Sequence, residues 1–202
     1  MKKRTLVALI LIALGFGYLY MSNPYSSTPL EAIEKVRYEI NDRLRLLHEI
    51  ETDRGKVLFL LRDLPNGQTL DVEYVQKTLL FGWKWGYGGG HTLPSIHGND
   101  PDSFWTEQFF ASTKGTKYDS PFPLLFGVIN NPKIEAIDVY SYATDESFTA
   151  SVKETGDPEL RIWYLFVSEE QGTRFMLTAQ TEDRQIISTK ILEEITNQVG
   201  VP

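Results

Sequence analysis

The sequence contains no cysteine, few histidines and no excess of basic residues. The absence of cysteine excludes disulfides, thiolate metal sites and a lipid attached to an N-terminal cysteine. The 20 basic and 27 acidic residues give a formal net charge of −7, and this acidic balance disfavours nucleic acid as a partner. The serine motifs Gly-x-Ser-x-Gly and Ser-x-x-Lys are also absent. The chain is therefore not expected to be an enzyme, and its composition implies no cofactor.

An apolar segment lies close to the N-terminus. Lys2, Lys3 and Arg4 precede an uncharged run over residues 5–21. Seventeen helical residues reach roughly 25 Å, the short end of what spans a bilayer. The basic residues before the run predict a cytoplasmic N-terminus and an exported remainder. We expect an uncleaved, single-pass anchor in the cell membrane.

Removal of the apolar segment is the alternative to an anchor. A signal peptidase needs small residues before its cleavage site, and residues 13–15, Ala-Leu-Gly, offer the one passable site. Cleavage there would give a secreted protein. The exported part has 17 basic residues against 27 acidic ones, a formal net charge near −10. Export without cysteine fits a Gram-positive type of envelope.

The remainder of the chain predicts one β domain over residues 28–202, after a polar linker at residues 22–27. Thr28, Pro29 and Glu31 form the start of a helix of about residues 29–37, with a capping box. The helix could continue beyond this, but residues 45–63 also read as two strands around a turn at residues 53–55, which we favour. Short strand-like runs and turn residues then alternate to the C-terminus. The prediction is a mainly β fold, an antiparallel sandwich or open barrel with one short helix.

The stretch Phe81–Gly90, FGWKWGYGGG, has the most unusual composition of the chain. Its glycines do not open a helix after a strand, so they do not form a nucleotide-binding fingerprint. We expect this stretch to end a strand and turn the chain. In a strand, Trp83 and Trp85 share one face and are either core residues or an exposed aromatic platform for a sugar, a peptide or a lipid headgroup. The candidate binding residues are Trp83, Trp85, Tyr87, Gly88, Gly89, Gly90 and His91, whereas Trp105 and Trp163 are expected in the core.

Two polar clusters are candidate sites of chemistry. His91, His97 and Asp100 could hold zinc, although their spacing matches no established ligand pattern. Glu49, Glu51 and Asp53 would line one face of a strand next to His48, where crowded carboxylates can serve acid–base catalysis. Exposed loops and solvated strand edges account for the same residues more simply. No metal or catalytic residue is therefore assigned.

Several short motifs resemble those of small exported or membrane-anchored proteins from spore-forming Gram-positive bacteria, a group without an assigned activity. The motifs are Pro29 with residues 31–33 (Glu-Ala-Ile), residues 83–85 (Trp-Lys-Trp) before three glycines, and residues 126–129 (Phe-Gly-Val-Ile). The resemblance covers most of residues 28–190. It implies export and a β fold, and it carries over no catalytic residue.

Three functions remain open from the sequence. The first is a membrane-anchored, non-catalytic module outside the cytoplasm that binds an envelope protein or glycan. The second is a metal-dependent hydrolase of envelope material that uses His91, His97 and Asp100. The third is a structural or inhibitory subunit that docks its short helix or an edge strand onto a membrane partner.

Overall fold

A computed structural model describes residues 24–37, 43–65, 67–94 and 105–193 of the chain. These residues form one α-helix and twelve β-strands. The helix is α1 (Pro29–Arg37). The strands are β1 (Arg43–Thr52), β2 (Gly55–Leu64), β3 (Gly67–Thr78), β4 (Gly82–Thr92), β5 (Gln108–Phe110), β6 (Leu124–Ile129), β7 (Ala136–Ser141), β8 (Ser147–Thr149), β9 (Ser151–Glu154), β10 (Arg161–Phe166), β11 (Arg174–Gln180) and β12 (Ile186–Glu193).

Helix α1 begins where the capping box predicts. The Glu31 amide donates to Thr28 Oγ1 (3.2 Å), and the Thr28 amide donates to the Glu31 carboxylate (3.3 Å). These two bonds satisfy amide groups that have no partner within the helix. Ala32 and Ile33 are fully buried, and the helix lies against β3 and β4. The predicted helix and its start are confirmed.

Strands β1 and β2 form the predicted hairpin rather than an extension of the helix. Thr52 pairs with Gly55 across the turn at Asp53 and Arg54. The glycine is required here because a Cβ atom at position 55 would overlap the carbonyl oxygen of Val75 on β3. The local turn signal therefore identified this hairpin correctly.

The prediction of a turn at the triple glycine is wrong. The chain turns earlier, at residues 79–81, and β4 then runs straight through Gly88, Gly89 and Gly90. Gly82, with φ of 89°, supplies the left-handed conformation that closes this turn. Glycines 88 and 90 have a different purpose, because side chains of β3 occupy the space that their Cβ atoms would fill.

The strands form three antiparallel sheets of four strands each. Sheet A has the order β1-β2-β3-β4, sheet B the order β5-β6-β10-β9, and sheet C the order β12-β11-β7-β8. In the described part of the chain, no sheet closes on itself, so there is no closed barrel. The predicted mainly β, antiparallel fold with one short helix is confirmed.

Sheet B lies between the other two sheets. One hydrophobic core joins sheet A to sheet B and includes Phe59, Val72 and Phe126. A second core joins sheet B to sheet C and includes Trp163 and Phe175. All six residues of β6 are buried, because alternate side chains enter the two cores. A smaller cluster beneath α1 covers part of the outer face of sheet A.

The apolar run over residues 5–21 lies outside the described residues. None of the helices among the described residues has the length and apolar character that are needed to cross a bilayer.

Candidate functional site

The candidate binding residues all lie on β4, but the structure divides them between two faces of sheet A. Tyr87 pairs with Tyr74, whereas Trp85 pairs with Val75, so Gly86 forms a bulge. The bulge reverses the alternation of side chains along the strand. Trp83, Trp85, Gly88 and Gly90 therefore belong to the outer face, and Tyr87, Gly89 and His91 to the inner face.

Tyr87 and His91 line the core between sheets A and B. The ring of Tyr87 lies 5.7 Å from that of Phe110 and 5.8 Å from that of Phe122, in edge-to-face arrangements. His91 lies 6.1 Å from the ring of Phe126. These two side chains help to hold the sheets together, and they do not share one surface with the tryptophans.

His91 is a hydrogen-bonded side chain of this interior. Its Nε2 lies 2.8 Å from Thr106 Oγ1, and burial lowers the pKa of the imidazole below its usual 6.5. His97 and Asp100, the other members of the predicted zinc site, lie outside the described residues. Within the described residues, no group of three or more His, Cys, Asp or Glu side chains could hold a metal ion. The three-residue zinc site stays a prediction.

On the outer face, Trp85 is fixed by a buried carboxylate. Its indole Nε1 donates to Oε2 of Glu73 (2.6 Å), whose side chain has no exposed surface. Nε of Arg37, the last residue of α1, donates to Oε1 of Glu73 (3.1 Å). Burial raises the pKa of Glu73, and the bonds from Trp85 and Arg37 oppose this rise. Glu73 thus links the helix, the sheet and one edge of the indole ring.

A second buried carboxylate lies two residues before Glu73 on the same face. Asp71 is 1% exposed, and Nε of Arg62 donates to it (2.8 Å). Asp71 pairs with Gly90 and Glu73 with Gly88, and each carboxylate occupies the space next to its glycine. The glycines of β4 therefore make room for two acidic side chains of β3.

Sequence reasoning missed Asp71 and Glu73. Their alternation with the apolar residues of β3 places them on the outer face of a half-buried strand, where carboxylates are ordinarily solvated. One signal in the sequence does indicate their burial. Asp71 and Glu73 are two residues apart, and so are Gly88 and Gly90, the glycines that face them. That signal can be interpreted only when the register of β3 and β4 is known.

Trp83 is half-buried and lies next to the start of the described chain. Ser26 and Trp83 exchange two backbone hydrogen bonds of 2.8 Å. The ammonium groups of Lys77 and Lys56 lie 5.4 Å and 5.9 Å from the centre of its ring. These are favourable cation–π distances, so the indole has charged neighbours rather than a bare apolar surface.

An open groove of about 260 Å³ lies beside Trp85, and we call it the Trp85 groove. The half-buried rings of Trp85 and Tyr118 meet edge to face at 6.1 Å. Exposed Lys84 and Lys117 also border the groove, and the ammonium of Lys117 lies 4.8 Å from the centre of the Tyr118 ring. Among the described residues, the lining is Pro24, Val36, Gln76, Lys84, Trp85, Gly86, Lys117 and Tyr118.

A larger groove, of about 600 Å³, lies at the Arg161 end of β10. Three glutamates border it, but the one cation that the described part of the chain contributes to its lining is already engaged. Arg161 donates to the carbonyl oxygens of Asn131 (3.0 Å) and Ile134 (2.7 Å) and pairs with Glu135 (3.5 Å). This cation therefore fastens the loop between β6 and β7, and the Trp85 groove offers the more accessible cationic groups.

The carboxylates near His48 meet a lysine rather than one another. Glu49 and Glu51 both lie 2.8 Å from Nζ of Lys56, and Asp53 lies in the turn. The two glutamates raise the pKa of Lys56, chiefly through the hydrogen bond that its Nζ donates to the Glu49 carboxylate. This arrangement favours a salt-bridged strand edge over a pair of catalytic acids.

Comparison of the chain with models of protein families, with curated proteins and with solved structures gave no match. The functional interpretation therefore depends on the geometry of the outer face of sheet A.

Proposed function

We propose that this chain is a membrane-tethered β domain outside the cytoplasm, and that it binds a negatively charged envelope polymer in the Trp85 groove without performing chemistry. The carrying observation is the half-exposed indole of Trp85, held from beneath by Glu73 and bordered by two exposed lysines. The resemblance to exported proteins of spore-forming Gram-positive bacteria supports the proposed location.

The tether is the apolar run over residues 5–21. Lys2, Lys3 and Arg4 precede it and favour a cytoplasmic N-terminus, which places the β domain outside. Cleavage after residues 13–15 would instead release the same domain as a secreted protein. The arrangement of sheets A, B and C fits a sandwich with one additional layer.

The Trp85 groove combines two properties that suit binding. Its aromatic wall is fixed, because the hydrogen bond to Glu73 already restricts the indole, and a ligand therefore causes little further loss of side-chain freedom. Its cations, Lys84 and Lys117, have exposed side chains within a domain whose overall charge is negative. A sugar ring or an aliphatic segment would stack on the aromatic wall while anionic groups contact the lysines.

The test uses the full-length chain in detergent micelles and two probes, a soluble poly(glycerol phosphate) and an uncharged chitin oligosaccharide. Binding is measured by titration calorimetry for the wild type, Tyr118→Ala and Lys84→Glu/Lys117→Glu. We expect the charged polymer to bind, and each variant to weaken binding at least tenfold, which corresponds to about 1.4 kcal/mol.

Two control variants match these changes on other surfaces. Lys133→Glu reverses an exposed lysine elsewhere, and Tyr142→Ala removes an exposed tyrosine on which Arg174 lies at 4.7 Å. Equal loss of binding in the controls, or no binding of either probe, would refute the Trp85 groove as the site. Binding of the uncharged probe alone would refute the charged class of ligand.

A further inference from the structure

The turn between β3 and β4 exposes three consecutive apolar side chains. Leu79, Leu80 and Phe81 are 100%, 81% and 64% exposed. Thr78 Oγ1 closes the turn, because it donates to the Gly82 carbonyl oxygen (2.9 Å) and accepts from the Phe81 amide (3.3 Å). The hairpin therefore holds these three residues, which we call the hairpin tip, in solvent at one end of sheet A.

The hairpin tip lies beside the point where the chain leaves its N-terminal apolar run. The ring of Tyr25 stacks on that of Phe81, with ring centres 5.2 Å apart. The next residue, Ser26, pairs with Trp83 through two backbone hydrogen bonds. Met21, the last residue of the run, is three residues before Pro24, so at most about 11 Å of extended chain separates them. A bilayer that contains residues 5–21 would therefore lie close to the hairpin tip.

The charges within the hairpin itself are those of a membrane-facing segment. Residues 76–84 contain Lys77 and Lys84, both exposed, and no acidic residue, although the exported domain is acidic overall. Glu51, Asp53 and Arg54 of the neighbouring β1–β2 hairpin line a groove together with Leu79 and Trp83. Apolar side chains flanked by lysines and aromatic rings suit the boundary between hydrocarbon and headgroups. Anionic headgroups attract such lysines.

We propose that the hairpin tip inserts into the surface of the same bilayer that holds the N-terminal run. This inference rests on the proposed tether and adds a second attachment point. Two attachments fix the orientation of sheet A, whereas a single attachment would leave the domain free to rotate. Pro24 also borders the Trp85 groove, so that groove would open next to the membrane surface.

The absence of cysteine allows a direct test on the full-length chain. Leu80→Cys places a single thiol on the hairpin tip, and Pro65→Cys places one at the exposed turn at the other end of β3. Twelve residues of strand separate the two ends by roughly 40 Å. Each thiol is labelled with the polarity-sensitive fluorophore NBD, and the protein is reconstituted into phosphatidylglycerol–phosphatidylethanolamine vesicles with or without brominated acyl chains. Flotation of the vesicles measures the tether separately.

We expect the protein to float with the vesicles, and the Leu80→Cys label to shift to the blue and to be quenched at least twofold by brominated lipid. The Pro65→Cys label should show neither change. Flotation with a water-like Leu80→Cys label would overturn the inserted tip and leave the tether intact. Failure to float would overturn the tether and the inference that depends on it. A blue shift without lipid quenching would indicate a protein neighbour such as a second copy, and would also overturn insertion.

Discussion

Gly88 lies directly opposite Glu73 on the neighbouring strand, and a Cβ atom at position 88 would overlap the Oε2 atom of that carboxylate. The same oxygen accepts the indole hydrogen of Trp85. One missing side chain on β4 therefore allows a buried carboxylate on β3 to reach across and hold the aromatic ring of the proposed site.

The variant Gly88→Ala should be destabilised. Its new methyl group must displace Glu73 or the backbone of β3, and such overpacking costs about 1–3 kcal/mol. Urea denaturation measures the loss in free energy of unfolding. Gly156→Ala is the matched control, because no atom lies within 4 Å of the added Cβ at that position. Equal stability of the two variants would show that Glu73 does not require the glycine.

The free energy of unfolding should depend on pH through Glu73. Burial raises its pKa above the usual 4.5, so the folded state binds this proton more tightly than the unfolded state. The contribution of Glu73 is then fully present below pH 4.5 and is lost as pH rises through the raised value. Glu73→Gln should lack this dependence. Denaturation of both proteins across the acidic and neutral range checks this. If the free energy of unfolding of the wild type minus that of Glu73→Gln stays constant or increases with pH, the raised pKa is contradicted.

His91 should act in the opposite direction. Burial lowers its pKa, so its contribution to stability is present above the usual 6.5 and is lost as pH falls through the lowered value. His91→Gln should therefore lose less stability than the wild type on acidification below pH 6.5. His48, which is partly buried and also has a lowered pKa, remains in both proteins and serves as an internal reference. Parallel curves for the two proteins would rule out a titrating His91.

Trp163 and Trp83 should contribute differently to the stability of the fold. Trp163 is fully buried and donates to the Thr106 carbonyl oxygen (2.8 Å), so Trp163→Ala should cost about 3–5 kcal/mol. Trp83 is half-buried, and Trp83→Ala should cost about 1–2 kcal/mol. Thermal and urea unfolding compare the two variants. A loss at Trp83 as large as that at Trp163 would make Trp83 a core residue.

The Trp85→Ala variant is informative for stability rather than for binding. It removes the indole that donates to Glu73 and leaves that buried carboxylate with one hydrogen bond fewer. We expect a loss of stability larger than that of Trp83→Ala. For this reason the Trp85 groove is tested through Tyr118, Lys84 and Lys117, whose side chains lie outside the buried cluster beneath α1.

Features set by neighbouring residues were predictable from the sequence. The start of α1 follows from Thr28 and Glu31, and the β1–β2 hairpin follows from two strand-like runs around a turn. The core positions of Trp105 and Trp163 also follow, because each lies in an apolar strand context. Each of these interpretations needs only a few consecutive residues.

Features set by strand register were not predictable. Leu79, Leu80 and Phe81, which form the observed turn, are not typical turn residues. The sequence pattern therefore predicts the turn at the glycines instead. The division of β4 between two faces depends on the bulge at Gly86, which sequence alternation does not reveal. The buried carboxylate of Glu73 accepts a hydrogen bond from Arg37, which belongs to a separate element, helix α1.

Strand β6 has a consequence for how the molecule unfolds. Its even-numbered side chains, such as Phe126, belong to the core shared with sheet A, and odd-numbered ones, such as Leu125, belong to the core shared with sheet C. Neither outer sheet can separate from the middle layer without exposing one side of this strand to water. Sheets A and C, which are far apart in sequence, are thereby coupled into a single cooperative unit.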